Sequence, residues 1–85
     1  MNVSGRVQGV GFRYGTVSLA RQLGIKGRVW NNVDGTVGIF AQGQQADLVQ
    51  LEKELRKGPT PFADVTYLDI EADDSPDYTD FNVIY

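Results

Sequence analysis

Residues 8–13, Gln-Gly-Val-Gly-Phe-Arg, link a predicted strand to a predicted helix, and we call this segment the 8–13 loop. The first backbone N–H groups of a helix are unpaired and carry partial positive charge, so an anion binds favourably there. Gly9 and Gly11 place no side chain in the way of a phosphate, and the planar guanidinium of Arg13 can donate two hydrogen bonds to it. These residues favour a phosphoryl-binding loop, although an ordinary strand-to-helix turn with a solvated arginine would use them too.

The chemistry open to this loop is limited by what the chain lacks. A nucleotide-binding P-loop ends in Gly-Lys-Ser or Gly-Lys-Thr, whereas Gly11 is followed by Phe12 and Arg13. The chain has no cysteine and no histidine, which leaves only Asp or Glu as a phosphate-accepting nucleophile and removes the side chain that titrates near neutrality. Any metal would have to be bound by carboxylates. A reaction at this loop must therefore depend on positioning and electrostatics.

A second polar segment contains Asn31 and Asn32, which precede the Asp34-Gly35 pair. Asp-Gly between two apolar runs is a strong hairpin signal. Asparagine is common in such turns because its side chain forms hydrogen bonds with nearby backbone. Local sequence alone therefore assigns both asparagines to the turn.

The charge balance bears on possible partners. Eight Lys and Arg against 11 Asp and Glu give a formal net charge of −3, whereas nucleic-acid binding needs a basic surface. We therefore expect no nucleic-acid partner, and we interpret Trp30 and Phe40 as packing residues rather than base-stacking platforms. The acidic residues that gather late in the chain are interpreted as a solvated surface: Asp69, Glu71, Asp73, Asp74, Asp77 and Asp80.

The 85 residues have room for one domain, and we expect residues 1–85 to form it. No segment approaches the ~20 consecutive apolar residues of a membrane span, and the first residues lack the basic start and apolar run of a secretion signal. We expect a cytoplasmic monomer with no membrane partner.

Hydrophobic periodicity predicts the elements that position the loop. Strands are predicted at 1–7, 25–31, 36–42 and 65–72, with a turn at 74–77 before a short last strand that contains Phe81, Val83 and Tyr85. The first helix, with Val17, Ala20 and Leu23 at helical spacing, follows the 8–13 loop and ends at Gly24; the second, with Leu48, Leu51 and Leu55, ends at Gly58-Pro59.

The predicted order is strand, helix, strand, strand, helix, strand, with a short extra strand at the end. This order is typical of a ferredoxin-like βαββαβ sandwich, an α+β fold with two helices on one face of an antiparallel four-stranded sheet. A short fifth strand would extend that sheet.

Two segments resemble the signatures of the acylphosphatase family. Residues 5–13, Gly-Arg-Val-Gln-Gly-Val-Gly-Phe-Arg, resemble the first signature, and residues 31–37, read as N-x-x-D-G-x-V, resemble the second. The likeness covers essentially the whole chain, since it continues through Gly58-Pro59, residues 63–65 and the closing residues 81–85. The nine-residue first signature is highly specific, whereas a glycine-rich loop alone would be weak.

The resemblance implies an enzyme that hydrolyses the carboxyl-phosphate bond of acyl phosphates by direct attack of water, without a metal or cofactor. It implies that Arg13 and Asn31 are catalytic: the guanidinium binds the phosphate and the side-chain amide of Asn31 orients the water. It also implies that the backbone N–H groups of the loop bind the phosphate, so a phosphate or sulfate ion is expected there: Gln8, Gly9, Val10, Gly11, Phe12 and Arg13.

The alternative is a non-catalytic phosphate- or anion-binding interaction module, because the ferredoxin-like fold hosts many functions. Such a module would retain Arg13 but has no use for Asn31.

Two departures from the family pattern bear on local contacts. Arg28 and Trp30 stand in exchanged positions, although both are predicted to point to the same face of their strand. Gly15 stands early in the first helix, where a bulky residue is common.

Overall fold

The fold was obtained as a computed structural model, which describes residues 1–69 and 77–84. The elements are β1 (Asn2–Arg6), α1 (Phe12–Gln22), β2 (Lys26–Asn31), β3 (Val37–Gln42), α2 (Gln45–Lys57), β4 (Asp64–Asp69) and β5 (Phe81–Val83). This order is the predicted one. Residues 70–72 of the predicted fourth strand, residues 74–76 of the predicted turn and Tyr85 lie outside the described residues.

The described strands form one sheet in the order β4-β1-β3-β2-β5. β1 pairs antiparallel with β3 and β4, and β2 pairs antiparallel with β3, which is the predicted ferredoxin-like arrangement. The short fifth strand is present and runs parallel to β2, so the complete sheet is mixed. β5 supplies backbone partners to what would otherwise be an open edge of β2, because Gly27 N–H donates to Asp80 O and Ile84 N–H donates to Val29 O, both at 2.9 Å.

The core lies between the sheet and the two helices. In α2 the predicted stripe is present, with Leu51 and Leu55 fully buried and Leu48 partly buried. In α1 the buried residues include Phe12 and Thr16, which the spacing of Val17, Ala20 and Leu23 did not indicate. The buried Thr16 hydroxyl donates to the carbonyl of Phe12 at 2.8 Å, so its polar group is satisfied.

The two departures from the family pattern have structural explanations. Arg28 and Trp30 lie on one face of β2, opposite the buried Val29, as predicted. The indole of Trp30 occupies the space above Gly38, where an added Cβ would lie 2.4 Å from it. The guanidinium of Arg28 stacks 4.4 Å from the ring centroid of Tyr78. Both side chains therefore serve packing around β2.

Gly15 is explained by a close approach between α1 and the turn that follows α2. A Cβ added at Gly15 would lie 2.9 Å from the Cβ of Pro59 and 3.2 Å from its carbonyl oxygen. Neither group can move away easily, because both belong to the rigid Pro59 ring and backbone. The glycine thus permits α1 to pack directly against this turn, beside the 8–13 loop.

Candidate functional site

The 8–13 loop and Asn31 lie at the same edge of the sheet. β1 and β2 are both antiparallel to β3, so their carboxyl ends meet at the edge where β3 begins. The 8–13 loop follows β1, and Asn31 is the last residue of β2, where it pairs with Val37. The candidate catalytic residues Arg13 and Asn31 are 18 positions apart in the sequence. The fold therefore brings the two signature segments that contain them to one edge of the sheet.

Two glycines give the loop its shape. Gly9 and Gly11 have φ angles of 73° and 78°, in the left-handed region that side chains disfavour. Gly11 is the N-cap of α1, and its carbonyl accepts the first intrahelical hydrogen bond from Gly15 N–H at 3.0 Å. The amides that precede Gly15 point out of this end of the helix.

Arg13 belongs to the first turn of α1, whose charge favours an anion. None of the described side chains caps this helix end, and the first turn contains no acidic residue. No acidic side chain of that turn offsets the partial positive charge of the helix start, and Arg13 brings a second positive group to the same turn.

The loop is fastened on both sides. The side-chain amide of Gln8 donates to Asn32 O at 2.7 Å and to Thr36 O at 2.9 Å, which joins the loop to the β2–β3 hairpin. On the other side, the Thr60 hydroxyl donates to Val10 O at 2.9 Å, which joins the loop to the turn before β4. These bonds fix the loop relative to Asn31.

Asn31 is exposed at the end of β2. Its side chain forms no hydrogen bond within residues 1–69 and 77–84. The carbonyl and NH₂ groups of this amide are therefore open to a small polar molecule at the mouth of the loop.

Asn32 has a larger structural role than the turn position that the sequence predicts. Its Oδ1 accepts from Trp30 Nε1 at 2.9 Å, and its Nδ2 donates to Asn2 Oδ1 and Thr36 Oγ1, both at 3.0 Å. The one signal in the sequence was the indole N–H of Trp30, which needs an acceptor when it is partly buried. Asn32 therefore holds the hairpin to β1 and orients the residue before it.

Asp34 shapes the tip of the hairpin. The hydroxyl of Thr36 and then its backbone N–H donate to the Asp34 carboxylate, at 2.6 Å and 3.1 Å. These hydrogen bonds favour the ionised form and hold the pKa of Asp34 below its usual value. Asp34 and Gly35 thus keep the structural role that the sequence predicts, and they hold the end of β2 in place.

The contribution of Gln8 can be measured by its removal. Gln8→Ala deletes both hydrogen bonds between the loop and the hairpin, while Thr36 O keeps the hydrogen bond from Asn32 N–H. We expect the free energy of unfolding to fall by about 1–2 kcal/mol in urea denaturation, and kcat to fall because the loop is no longer fixed relative to Asn31. Gln50→Ala, which removes one exposed hydrogen bond to Glu54 on α2, is the matched control and should change stability by less than about 0.5 kcal/mol. Equal stability and equal kcat for the two variants would show that Gln8 does not fasten the loop.

Within the described ranges, no group of three or more His, Cys, Asp or Glu side chains could hold a metal ion. Neither described helix is long and apolar enough to cross a membrane.

A family model described as acylphosphatase matches residues 1–83. The chain belongs to the acylphosphatase family. An acylphosphatase of Lactococcus lactis is 50% identical over 92 residues, covering 100% of this chain and 95% of that protein. An acylphosphatase of Ligilactobacillus salivarius is 47% identical, covering 98% of this chain and 92% of the relative. The crystal structure of acylphosphatase from Bacillus subtilis matches with a TM-score of 0.92 and 35% identity, over 99% of this chain and 93% of that one.

These relatives confirm the predicted activity and fold. This acylphosphatase-family chain is an enzyme that hydrolyses the carboxyl-phosphate bond of acyl phosphates, on a ferredoxin-like α+β fold. The predicted alternative, a non-catalytic anion-binding module, is not favoured by the acylphosphatases that match the whole chain.

Proposed function

We propose that the 8–13 loop binds the phosphoryl group of the acyl phosphate and that Arg13 and Asn31 are the catalytic residues. One observation carries this proposal. The start of α1, whose charge favours an anion, and the open side-chain amide of Asn31 lie at the same edge of the sheet, and Gln8 joins the two segments by hydrogen bonds. The family supplies the substrate class, the signature resemblance suggests the roles of the two residues, and the geometry supports those roles.

In this proposal the phosphate is bound by the backbone N–H groups of residues 8–13 and by the Arg13 guanidinium. The left-handed glycines leave the backbone accessible, and the start of α1 adds partial positive charge. Phosphoryl transfer spreads negative charge over the equatorial phosphate oxygens, so donors fixed in advance stabilise the transition state. Arg13 contributes most because it is charged and can bind two oxygens at once.

The side-chain amide of Asn31 orients the attacking water. Its carbonyl can accept a hydrogen bond from the water and so hold it at a fixed position. Water held at a fixed position reacts far faster than free water, because the entropic cost of bringing it to phosphorus is already met. Asn31 does not titrate, so its function does not require a proton transfer.

The reaction proceeds in one displacement at phosphorus. The water oxygen forms a bond to phosphorus while the bond from phosphorus to the acyl oxygen breaks, and the electron pair of that bond leaves with the carboxylate. One water proton passes to a phosphoryl oxygen, so the products are the carboxylate and inorganic phosphate. The carboxylate is a good leaving group, so no general acid is required. Neither a covalent phospho-enzyme nor a cofactor takes part.

A free phosphate or sulfate ion should bind at the 8–13 loop as a product-like ligand. We propose that residues 1–85 act as one domain in the cytoplasm. We also propose a monomer, since the exposed large apolar residues of the described chain are scattered over different elements.

The test is hydrolysis of acetyl phosphate in excess chelator, followed by release of inorganic phosphate. We expect the same kcat with and without chelator, because every proposed donor to the phosphate is a protein N–H group. The reaction should also leave no phosphate on the protein when it is quenched and analysed by mass spectrometry. Loss of activity in chelator, or a trapped phospho-aspartate, would refute the mechanism.

A further inference from the structure

The position of the acyl group follows from the direction of attack. In an in-line displacement, the attacking water and the leaving oxygen lie on opposite sides of phosphorus. This inference rests on the proposed function, in which the phosphate binds at the 8–13 loop and the water at Asn31. The leaving carboxylate must then point away from Asn31.

The sheet order defines where that direction leads. β1, which delivers the loop, lies between β3 and β4, whereas Asn31 is at the end of β2, beyond β3. The hydrogen bonds of the loop mark the same two sides: Gln8 reaches the β2–β3 hairpin, and Val10 O is bound by Thr60, before β4. The acyl group therefore extends from the loop toward the start of β4.

An open depression of about 650 Å³ lies on that side. Gly9 and Val10 line it, so it is continuous with the proposed phosphate site. Its other lining residues come from the end of β1 and from the segment that leads into β4: Arg6, Pro61, Phe62, Ala63 and Asp64. Its size is in the range of small-molecule sites, ~300–1,000 Å³.

One part of the depression is apolar and suits an uncharged acyl group. Val10, Pro61, Phe62 and Ala63 supply apolar surface. Arg6 and Asp64 are register partners on β1 and β4, so the lining contains one positive and one negative side chain and no net formal charge. Phe62 is 72% exposed, which leaves a large aromatic side chain in water unless a ligand covers it.

We propose that this depression is the acyl-binding subsite and that Phe62 sets how strongly aromatic acyl groups are favoured over short ones. An aromatic acyl group that leaves phosphorus opposite Asn31 can pack against the Phe62 ring, whereas an acetyl group is too short to cover it. Pairs of aromatic rings contribute beyond their buried area. The preference should therefore appear as a higher kcat/KM for benzoyl phosphate than for acetyl phosphate.

The test compares kcat/KM for benzoyl phosphate and acetyl phosphate in the wild-type protein, Phe62→Ala and Tyr67→Ala. Tyr67 is the matched control, because it is an aromatic residue on β4 that is 63% exposed but does not line the depression. We expect Phe62→Ala to lower the ratio of benzoyl to acetyl kcat/KM by about two- to tenfold, the range that an aromatic pair contributes. Phe62→Leu should lower it less, and Tyr67→Ala should not change it.

Inorganic phosphate separates this inference from the proposed function. Phosphate has no acyl group, so its inhibition constant should be the same in Phe62→Ala and wild type. If the ratio of benzoyl to acetyl kcat/KM is unchanged in Phe62→Ala, or changes equally in Tyr67→Ala, the acyl subsite is overturned. The roles of Arg13 and Asn31 would remain intact. Full activity of Arg13→Ala and Asn31→Ala on acetyl phosphate would instead refute the proposed function.

Discussion

Arg13→Ala is expected to lower kcat/KM for acetyl phosphate by about 10²–10³, one of the two largest effects expected in this chain. Arg13 belongs to the first turn of α1, and its charged guanidinium can donate two parallel hydrogen bonds to a phosphate. Without it, only backbone N–H groups neutralise the charge that develops on the phosphoryl oxygens. The measurement is steady-state release of inorganic phosphate, with circular dichroism to show that the fold is retained.

Two further variants make the Arg13 result specific. Arg13→Lys keeps the charge but loses the planar pair of donors, so it should recover only part of the activity. Arg21→Ala removes an arginine near the other end of α1, where it forms an exposed ion pair with Asp80 at 3.8 Å, and should leave kcat/KM unchanged. Full activity of Arg13→Ala, or an equal loss in Arg21→Ala, would show that Arg13 does not bind the reacting phosphate.

Asn31→Ala is expected to lower kcat by about 10²–10³ while the Kd of inorganic phosphate changes little. The Asn31 amide is open at the end of β2. In the proposed mechanism it orients the water, whereas the loop binds the phosphate. Removing the Asn31 amide therefore affects an interaction with the attacking water and not one with the bound phosphate. The measurement pairs kcat for acetyl phosphate with calorimetric titration of phosphate.

The control for Asn31 is Asn82→Ala. Asn82 lies on β5 and accepts a hydrogen bond from Arg21 at 3.1 Å, away from the 8–13 loop. This variant should keep both kcat and the Kd of phosphate. A kcat for Asn31→Ala equal to that of the wild type would remove Asn31 from the mechanism, and a parallel loss of phosphate binding would assign it to binding instead.

Much of the fold was predictable because its signals are local. The Leu48, Leu51 and Leu55 stripe, the Asp34-Gly35 turn and the glycines that end both helices each occupy a short stretch of sequence, and α1, α2 and the β2–β3 hairpin form where they indicate. The acylphosphatase resemblance was equally local, since it rests on residues 5–13 and 31–37.

The features that the sequence did not predict depend on contacts between distant residues. The amide of Gln8 bonds to backbone 24 and 28 positions away, and no local pattern marks such a partner. The parallel pairing of β5 with β2 depends on how the chain crosses the sheet, not on the alternation of its own residues. The close contact of Gly15 with Pro59 likewise appears only when the helices are packed.

The Asn31 assignment shows the same limit at the site itself. Local sequence favours a turn role for both asparagines, and Asn32 indeed bonds within the hairpin and to Asn2. Asn31 differs because its side chain has no such bonds to described residues and lies at the edge shared with the loop. Only the signature and the strand register together distinguish the two residues.

The central claim, that the loop with Arg13 binds phosphate while Asn31 places water, is tested most directly by the Kd of inorganic phosphate. Calorimetric titration of the wild-type protein, Arg13→Ala and Asn31→Ala should show weak phosphate binding in Arg13→Ala and nearly wild-type binding in Asn31→Ala, although both variants have lost turnover. Unchanged phosphate binding in Arg13→Ala, or equal weakening in both variants, would contradict this division of roles.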